Sequence, residues 1–363
     1  MTDRLATLMR GEAETLDVPA APTREILDAG HRLRRRRTLG RGAAGVSLLA
    51  VAATTVAVVT LGGGHPTDAR PTAPVGSAPH VSWAVDDTVY VGSDATPVAM
   101  PEVAQTLYYT SAGLLVRTNK DGSSDGGAPF HFELVRADGT ATKLGVTLGE
   151  VVPSTDPTEP YLAWATMSGD RIQVVVHDVA TDRDVATVDV PGTFDWGGWE
   201  APPVSLSGDQ VYVGTNHTTA VVNWRTGEAT TTDVVPGSTM PTVDGGRTVV
   251  QGIDSTLVVD TETGKSLLDI SAASGGNVTL SPDGGFAMVA TRRGTDLYAV
   301  DTGGTVQVPA TGWAWAPDGS EVFRVHDSTL ERCGTGSGEC HDSPIPALGK
   351  NAFVRYPGIS FES

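Results

Sequence analysis

One phrase recurs along the C-terminal half of this 363-residue chain. A turn holding Asp and Gly leads into an alternating strand; a second strand ends near Asp, and a second Gly-containing turn precedes another strand. The phrase reads MSGDRIQVVVHDVATDRDVATVDV from Met167, LSGDQVYVGTNHTTAVVNWRTGEATTTD from Leu206 and VDGGRTVVQGIDSTLVVDTETGKSLLDI from Val243. It returns in variant form from Leu280 and Ala316. The first-turn acids Asp170, Asp209, Asp244, Asp283 and Asp318 fall 39, 35, 39 and 35 residues apart, a period that fits one four-stranded unit. Pairs such as Val174/Val176 and Val211/Val213 show the period-2 spacing of strands that bury one face. No single unit can bury its faces alone, so the copies must stack on one another.

Radial stacking closes such units into a ring and hides nearly all strand edges, which makes the expected fold class all-β and the expected architecture a β-propeller. Composition agrees: 43 Gly and 23 Pro with only 19% charged residues describe many short strands joined by turns. Ser281, Pro282, Asp283, Gly284 and Trp315, Ala316, Pro317, Asp318, Gly319 resemble the WD40-like, TolB-type propeller repeat, in which an SPDG turn precedes a strand. SGD or DGG replaces that turn across Pro160 to Ile270, and the likeness fades before Pro153. The resemblance implies a propeller that binds protein or ligand at its faces, and it brings no catalytic motif.

Units run over Val81 to Ala104 and Gln105 to Glu150, then start near Tyr161, Pro203, Pro241, Asn277 and Trp313, which gives seven blades, with six or eight left open. The first unit is short by one strand. The final segment NAFVRYPGISFES is expected to supply it and lock the ring.

The N-terminal part follows different rules. Between Arg41 and Asp68 there is no Asp, Glu, Lys or Arg, and Ala43 to Leu61 reads AAGVSLLAVAATTVAVVTL. At 1.5 Å per residue, about 20 such residues cross the ~30 Å hydrocarbon core. Residues 42–64 are therefore expected to form one transmembrane helix. Arg32, Arg34 to Arg37 and Arg41 precede it, so the positive-inside rule places residues 1–41 in the cytoplasm as a short helical tail. Residues 65–80, rich in Pro, Ala and Thr, read as an extended linker, and residues 81–363 as an extracytoplasmic propeller. A cleaved signal peptide is the rival reading, but about 40 residues before the apolar stretch exceed that class. In the tail, Leu5, Leu8, Met9 and Leu16 lie near one helix face, and Ile26, Leu27 and Leu33 sit among basic residues suited to an anionic leaflet.

Net charge is -18 overall. Nine Arg against six acids leave +3 in residues 1–41 and -21 in the remainder. An acidic bulk repels phosphate backbones, which argues against a nucleic-acid partner. Cys333 and Cys340 flank the tip GTGSGE, in a region placed outside the cell where disulfides persist. They are expected to staple one hairpin.

Linear motifs for chemistry are weak. Gly122, Ser124 and Gly126 match G-x-S-x-G, but no strand-turn-helix context surrounds them. Asp121, Ser123, Asp125 and Gly126 start like a calcium loop, yet Phe132 stands where the closing Glu belongs. His177 with Asp178 and His326 with Asp327 are sequence neighbours whose side chains point to opposite faces of a strand. No catalytic, cofactor-binding or metal-ligating residue is assigned. The candidate binding surface is PGTFDWGGWE, where Phe194, Trp196 and Trp199 crowd one loop; these aromatics either grip a ligand or pack between blades.

The expected function is a membrane-anchored extracytoplasmic module binding a protein, peptide or glycan, possessing no cofactor, with a tail able to signal. Two alternatives stand: an exported propeller enzyme of glycosidase or lyase type, whose carboxylates would converge on the central opening, and an anti-sigma-like regulator.

Overall fold

The computed structural model describes residues 81–123, 127–195, 199–237, 240–271, 277–349 and 352–358. The expected tail, membrane helix and linker lie outside the described residues. No helix among the described residues is long and apolar enough to cross a membrane.

Twenty-eight described strands form seven four-stranded antiparallel sheets, and the chain from Val81 onward is a seven-bladed β-propeller. Blade 2 uses Val103–Thr110, Gly113–Asn119, Phe130–Val135 and Ala141–Leu148. Blade 3 uses Ser154–Thr155, Tyr161–Ser168, Arg171–Asp178 and Arg183–Val190. Blade 4 uses Val204–Ser207, Gln210–Gly214, Thr219–Asn223 and Glu228–Thr232, and blade 5 uses Val243–Asp244, Arg247–Gln251, Ser255–Asp260 and Ser266–Ser271. Blade 6 uses Val278–Leu280, Phe286–Thr291, Gly294–Ala299 and Thr305–Val308, and blade 7 uses Ala314–Trp315, Glu321–His326, Thr329–Gly334 and Cys340–Pro344. Blade 1 joins Ser82–Val85, Thr88–Val91 and Thr96–Ala99 to Val354–Arg355 from the far end of the chain. There Ala84 pairs with Arg355 and Val85 with Val354, so the expected closing strand is in place.

First strands of neighbouring blades touch, which sets them at the centre of the ring. The Ser205 hydroxyl donates to the Val243 carbonyl and accepts from the Val243 N–H, and the Ser154 hydroxyl accepts from the Leu206 N–H at 3.0 Å. Leu107 and Pro357 form a parallel bridge across blades 1 and 2. Apolar side chains fill the seams. The largest cluster runs through blades 2, 3 and 4 and includes Leu115, Phe132, Leu162, Ile172, Val211 and Val222.

Blade 3 departs from the sequence reading. Its first strand is Ser154–Thr155, two residues between Pro153 and Asp156-Pro157, rather than a segment from Tyr161. Two polar residues carry no alternation to read. Asp170 consequently sits between the second and third strands, and Asp156 lies in the first turn, as Asp209, Asp283 and Asp318 do in later blades, while Asp244 ends the first strand of blade 5.

Candidate functional site: the two faces of the ring

Because adjacent strands are antiparallel, connections leave alternately at two faces. One face carries every turn between first and second and between third and fourth strands, and none of these exceeds five residues. The other carries residues 120–129, 191–203 and 233–242. Tight turns define one face and long loops the other.

On the loop face, the Asn119 carboxamide organises the turn that follows it. Its Nδ2 donates to the Ser123 carbonyl at 2.6 Å and to the Gly127 carbonyl at 3.2 Å, while the Gly122 N–H donates to its Oδ1 at 2.6 Å. Arg355 from the closing strand donates to the carbonyls of Gly122 at 2.8 Å and Gln105 at 3.1 Å. The Asp121 carboxylate accepts from the Ser123 N–H at 3.0 Å. Gly122 has φ +74, and a Cβ there would lie 2.7 Å from the Val103 side chain, so only glycine fits this close approach. Ser124, Asp125 and Gly126 lie outside the described residues.

The second loop brings two of the three sequence-predicted aromatics, Phe194 and Trp199, to the same face. Phe194 packs, half-buried, against the blade 2 to 4 core. Trp199 is half-buried, and Trp196 lies outside the described residues. The loop is pinned to blade 4 by Asn216, whose N–H donates to the Thr193 carbonyl at 3.0 Å and whose Oδ1 accepts from the Asp195 N–H at 3.0 Å. The Glu200 N–H donates to the Glu150 carbonyl at 2.9 Å. Below this loop face Arg117 is buried, its guanidinium 3.7 Å over the Phe130 ring and donating to the Gly149 carbonyl. Burial pushes the Arg117 pKa down, while Tyr108 and Glu150 oppose that shift. Nothing in the linear sequence announced this arginine.

On the tight-turn face, each first-turn acid has a local task. Asp156 accepts from the Gly208 N–H of blade 4 at 2.7 Å and from Thr158. Asp209 pairs with Arg225, which lies 4.1 Å over the Trp224 ring. Asp283 accepts from the Ser281 hydroxyl and the Gly285 N–H, and Asp318 from the Ser320 N–H and hydroxyl. Asp244 differs. Burial, then the nearby Asp156 carboxylate, push its carboxyl up to about 7. A cavity of about 360 Å³ opens on this face where blades 1, 3 and 7 come together, lined by Ser93, Pro157, Pro317, Asp318, Glu321 and Arg332 among others.

His177 is buried and its ring nitrogens meet two cross-turn acids, Asp184 at 2.8 Å and Asp182 at 3.1 Å, rather than Asp178. Carboxylates only accept, so both contacts are hydrogen bonds when the imidazole carries two protons. Asp182 also accepts from the Gly145 N–H of blade 2, which makes the group an interblade clasp. His326 faces Glu331 at 3.6 Å. Cys333 and Cys340 are directly opposed across the outer hairpin of blade 7 and form a disulfide, Cα–Cα 4.1 Å. Their sulfurs lie near the Glu331 carboxylate, but bonded sulfurs offer no thiolate to a metal.

No family model and no curated protein matches this chain. Solved propellers do. Apo AztD from Citrobacter koseri is 13% identical, with a TM-score of 0.46 over 76% of this chain and 96% of that one. TolB from Acinetobacter baumannii is 12% identical, with a TM-score of 0.38 over 76% of this chain and 65% of that one. PorZ, a surface component of the type-IX secretion system of Porphyromonas gingivalis, is 12% identical, with a TM-score of 0.48 over 76% of this chain and 38% of that one. Identity is low in each case, and the seven-bladed assignment rests on the strand pairing above.

Proposed function

We propose that this chain is a membrane-anchored, extracytoplasmic binding module whose loop face takes a protein, peptide or glycan. One observation carries the reading: the long connections 120–129, 191–203 and 233–242 share one face of the ring, while the opposite face has only tight turns. Rigid blades with long loops at one end are the usual way a scaffold presents a recognition surface. Phe194 and Trp199 give that surface aromatic area. The membrane anchor rests on the apolar run 42–64 and the arginines before it, and nucleic acid is an unsuitable partner for so acidic a domain.

The test has two arms. Single cysteines at Thr15 and Ser77 are probed in intact cells with a membrane-impermeant reagent; labelling at Ser77 alone supports the anchored topology, and labelling at neither overturns it. Envelope proteins and cell-wall glycans are then captured on the wild type and on a Phe194→Ala, Trp199→Ala variant. Loss of the captured species in the variant, with an unchanged melting temperature, supports the loop face. Undiminished capture moves the site elsewhere.

A second reading is favoured by Asp244. A carboxyl held near 7 beside a second carboxylate is the pattern of a general acid and base, which keeps an exported glycosidase or lyase in view. Turnover of a glycoside panel that disappears in Asp244→Asn would establish it. For the regulator reading, residues 1–41 would have to retain a cytoplasmic partner in a pull-down.

A further inference from the structure

The cavity on the tight-turn face is built by three blades. Pro157 and Pro317 come from the first turns of blades 3 and 7, and Ser93 from the turn at 92–95 that joins the last two strands of blade 1. Blade 7 supplies the charge. Arg332 pairs with Phe323 across its second and third strands. Phe323 packs with Trp83 and Ala95 of blade 1, so the Arg332 side chain lies on the face that blade 1 covers. Glu321, two residues before Phe323, shares that face. Asp318 stands in the first turn of the same blade, and all three charged side chains line the one cavity.

Each of the three keeps unused hydrogen-bonding capacity. The Arg332 Nε–H is buried and has no acceptor among the described residues, a costly state for a charged donor. Its Nη1 lies 3.6 Å from the Glu321 carboxylate, longer than a hydrogen bond, and among the described residues that is the only polar contact of the Glu321 side chain. Asp318 uses one oxygen, Oδ1, to accept from the Ser320 N–H at 3.1 Å and hydroxyl at 2.8 Å, which leaves Oδ2 open. A ligand that completes this lining must offer an anionic acceptor to the guanidinium and a cationic donor to the carboxylates. An α-amino acid carries both on one carbon, which suits a guanidinium and a carboxylate 3.6 Å apart. The volume of about 360 Å³ is at the small end for ligand sites and takes a single amino acid rather than an oligomer.

We propose that this cavity binds a free α-amino acid, with its carboxylate on Arg332, its ammonium between Glu321 and Asp318, the Ser93 hydroxyl as a neutral partner, and its side chain along Pro157 and Pro317. Two carboxylates against one guanidinium leave the charged lining net negative, so basic amino acids bind best and acidic ones worst. The site lies on the face opposite the long loops and is independent of the recognition surface proposed above. Because Ser93 belongs to blade 1 and the charged groups to blade 7, an occupant also ties together two blades at the closing joint.

The experiment titrates the purified full-length chain in detergent with L-lysine, L-alanine and L-glutamate, each to about 10 mM at constant ionic strength, while its melting temperature is read. L-Lysine is expected to raise the melting temperature by about 2 °C or more, L-alanine by less and L-glutamate by least. Blocking either pole of the probe, as in Nα-acetyl-L-lysine or L-lysine amide, should at least halve the rise. Glu321→Gln and Asp318→Asn should each do the same, and Arg332→Gln should abolish it. The Phe194→Ala, Trp199→Ala variant, altered on the opposite face, should keep it in full. No rise with any of the three amino acids overturns the proposal and leaves the loop-face reading untouched. An equal rise with L-lysine and L-lysine amide overturns it too, since the site would then take cations alone. So does a rise that survives Glu321→Gln and Asp318→Asn, or one lost in the Phe194, Trp199 variant, which would place the amino acid elsewhere. If Arg332→Gln fails to fold, Asp318→Asn, which retains the Oδ1 acceptor of its turn, decides together with Glu321→Gln.

Discussion

Blades 7 and 1 are neighbours in the ring and are secured in opposite ways. Blade 7 is one continuous segment, Ala314 to Pro344, with its two outer strands bonded covalently through Cys333 and Cys340. Blade 1 is assembled from two segments, and its innermost strand is only two residues long. That short strand is held by side chains more than by its own ladder. Arg355 reaches carbonyls at Gln105 and Gly122, and the Tyr356 hydroxyl both accepts from the Val325 N–H at 2.9 Å and donates to the Val325 carbonyl at 3.3 Å, with its ring edge-on to Phe323. The comparison shows that a closed ring need not be uniformly tight: the covalent staple stands one blade away from the joint that needs fastening, and the joint depends on a few polar contacts.

The strongest way to break this comparison is to remove residues 351–363. Blade 1 then has three strands and an open inner edge, and the cooperative melting transition is expected to shift down by more than about 10 °C or vanish in calorimetry. An unchanged transition would show that the joint is dispensable. Next is the staple. The double variant Cys333→Ser, Cys340→Ser should lose about 2 to 3 kcal/mol in denaturant unfolding, the loop-closure entropy of a crosslink seven residues apart. Loss well below that would mean the hairpin is already ordered when reduced.

Asp244 provides a control far from the joint. Its carboxyl titrates near 7 when folded against 3.8 ordinarily, so the folded state holds the proton more tightly. The contribution of Asp244 to stability is therefore greatest below about pH 4, declines as pH rises toward 7, and is lost above that. The decline is expected to be on the order of 1–2 kcal/mol, below the ~4 kcal/mol limit of so large a shift, because solvent screens a half-buried group. Asp244→Asn should flatten the slope, and a slope that survives assigns it to another group. Tyr356→Phe should have the smallest effect, about 1 kcal/mol, by removing one hydroxyl from the joint. A larger loss would mean that the closing strand carries more of the ring than its length implies.

The repeat made the ring legible because turn chemistry and strand alternation are local properties. Asp, Gly and alternating Val recur wherever a blade recurs, and the short first unit showed where a closing strand had to come from. Ser154–Thr155 was illegible because two polar residues have no period, and Asp170 imitated a first turn because any Gly-Asp hairpin looks the same in sequence. The sites depend on contacts between distant residues. Asp156 and Asp244 are far apart along the chain, and the bulge that sets Gln105 apart is revealed only by strand pairing. Phe194 was noticed for its composition, but its packing against the core depended on the loop being tied to Asn216.

The closing strand also sets a clock. Arg355 and Gln105 are 250 residues apart, so a ribosome making 5–20 residues per second delivers one roughly ten to fifty seconds after the other. During that interval the Ser82–Val85 strand waits with its inner edge unpaired, and the chain passes through its most association-prone form before Val354 and Arg355 arrive.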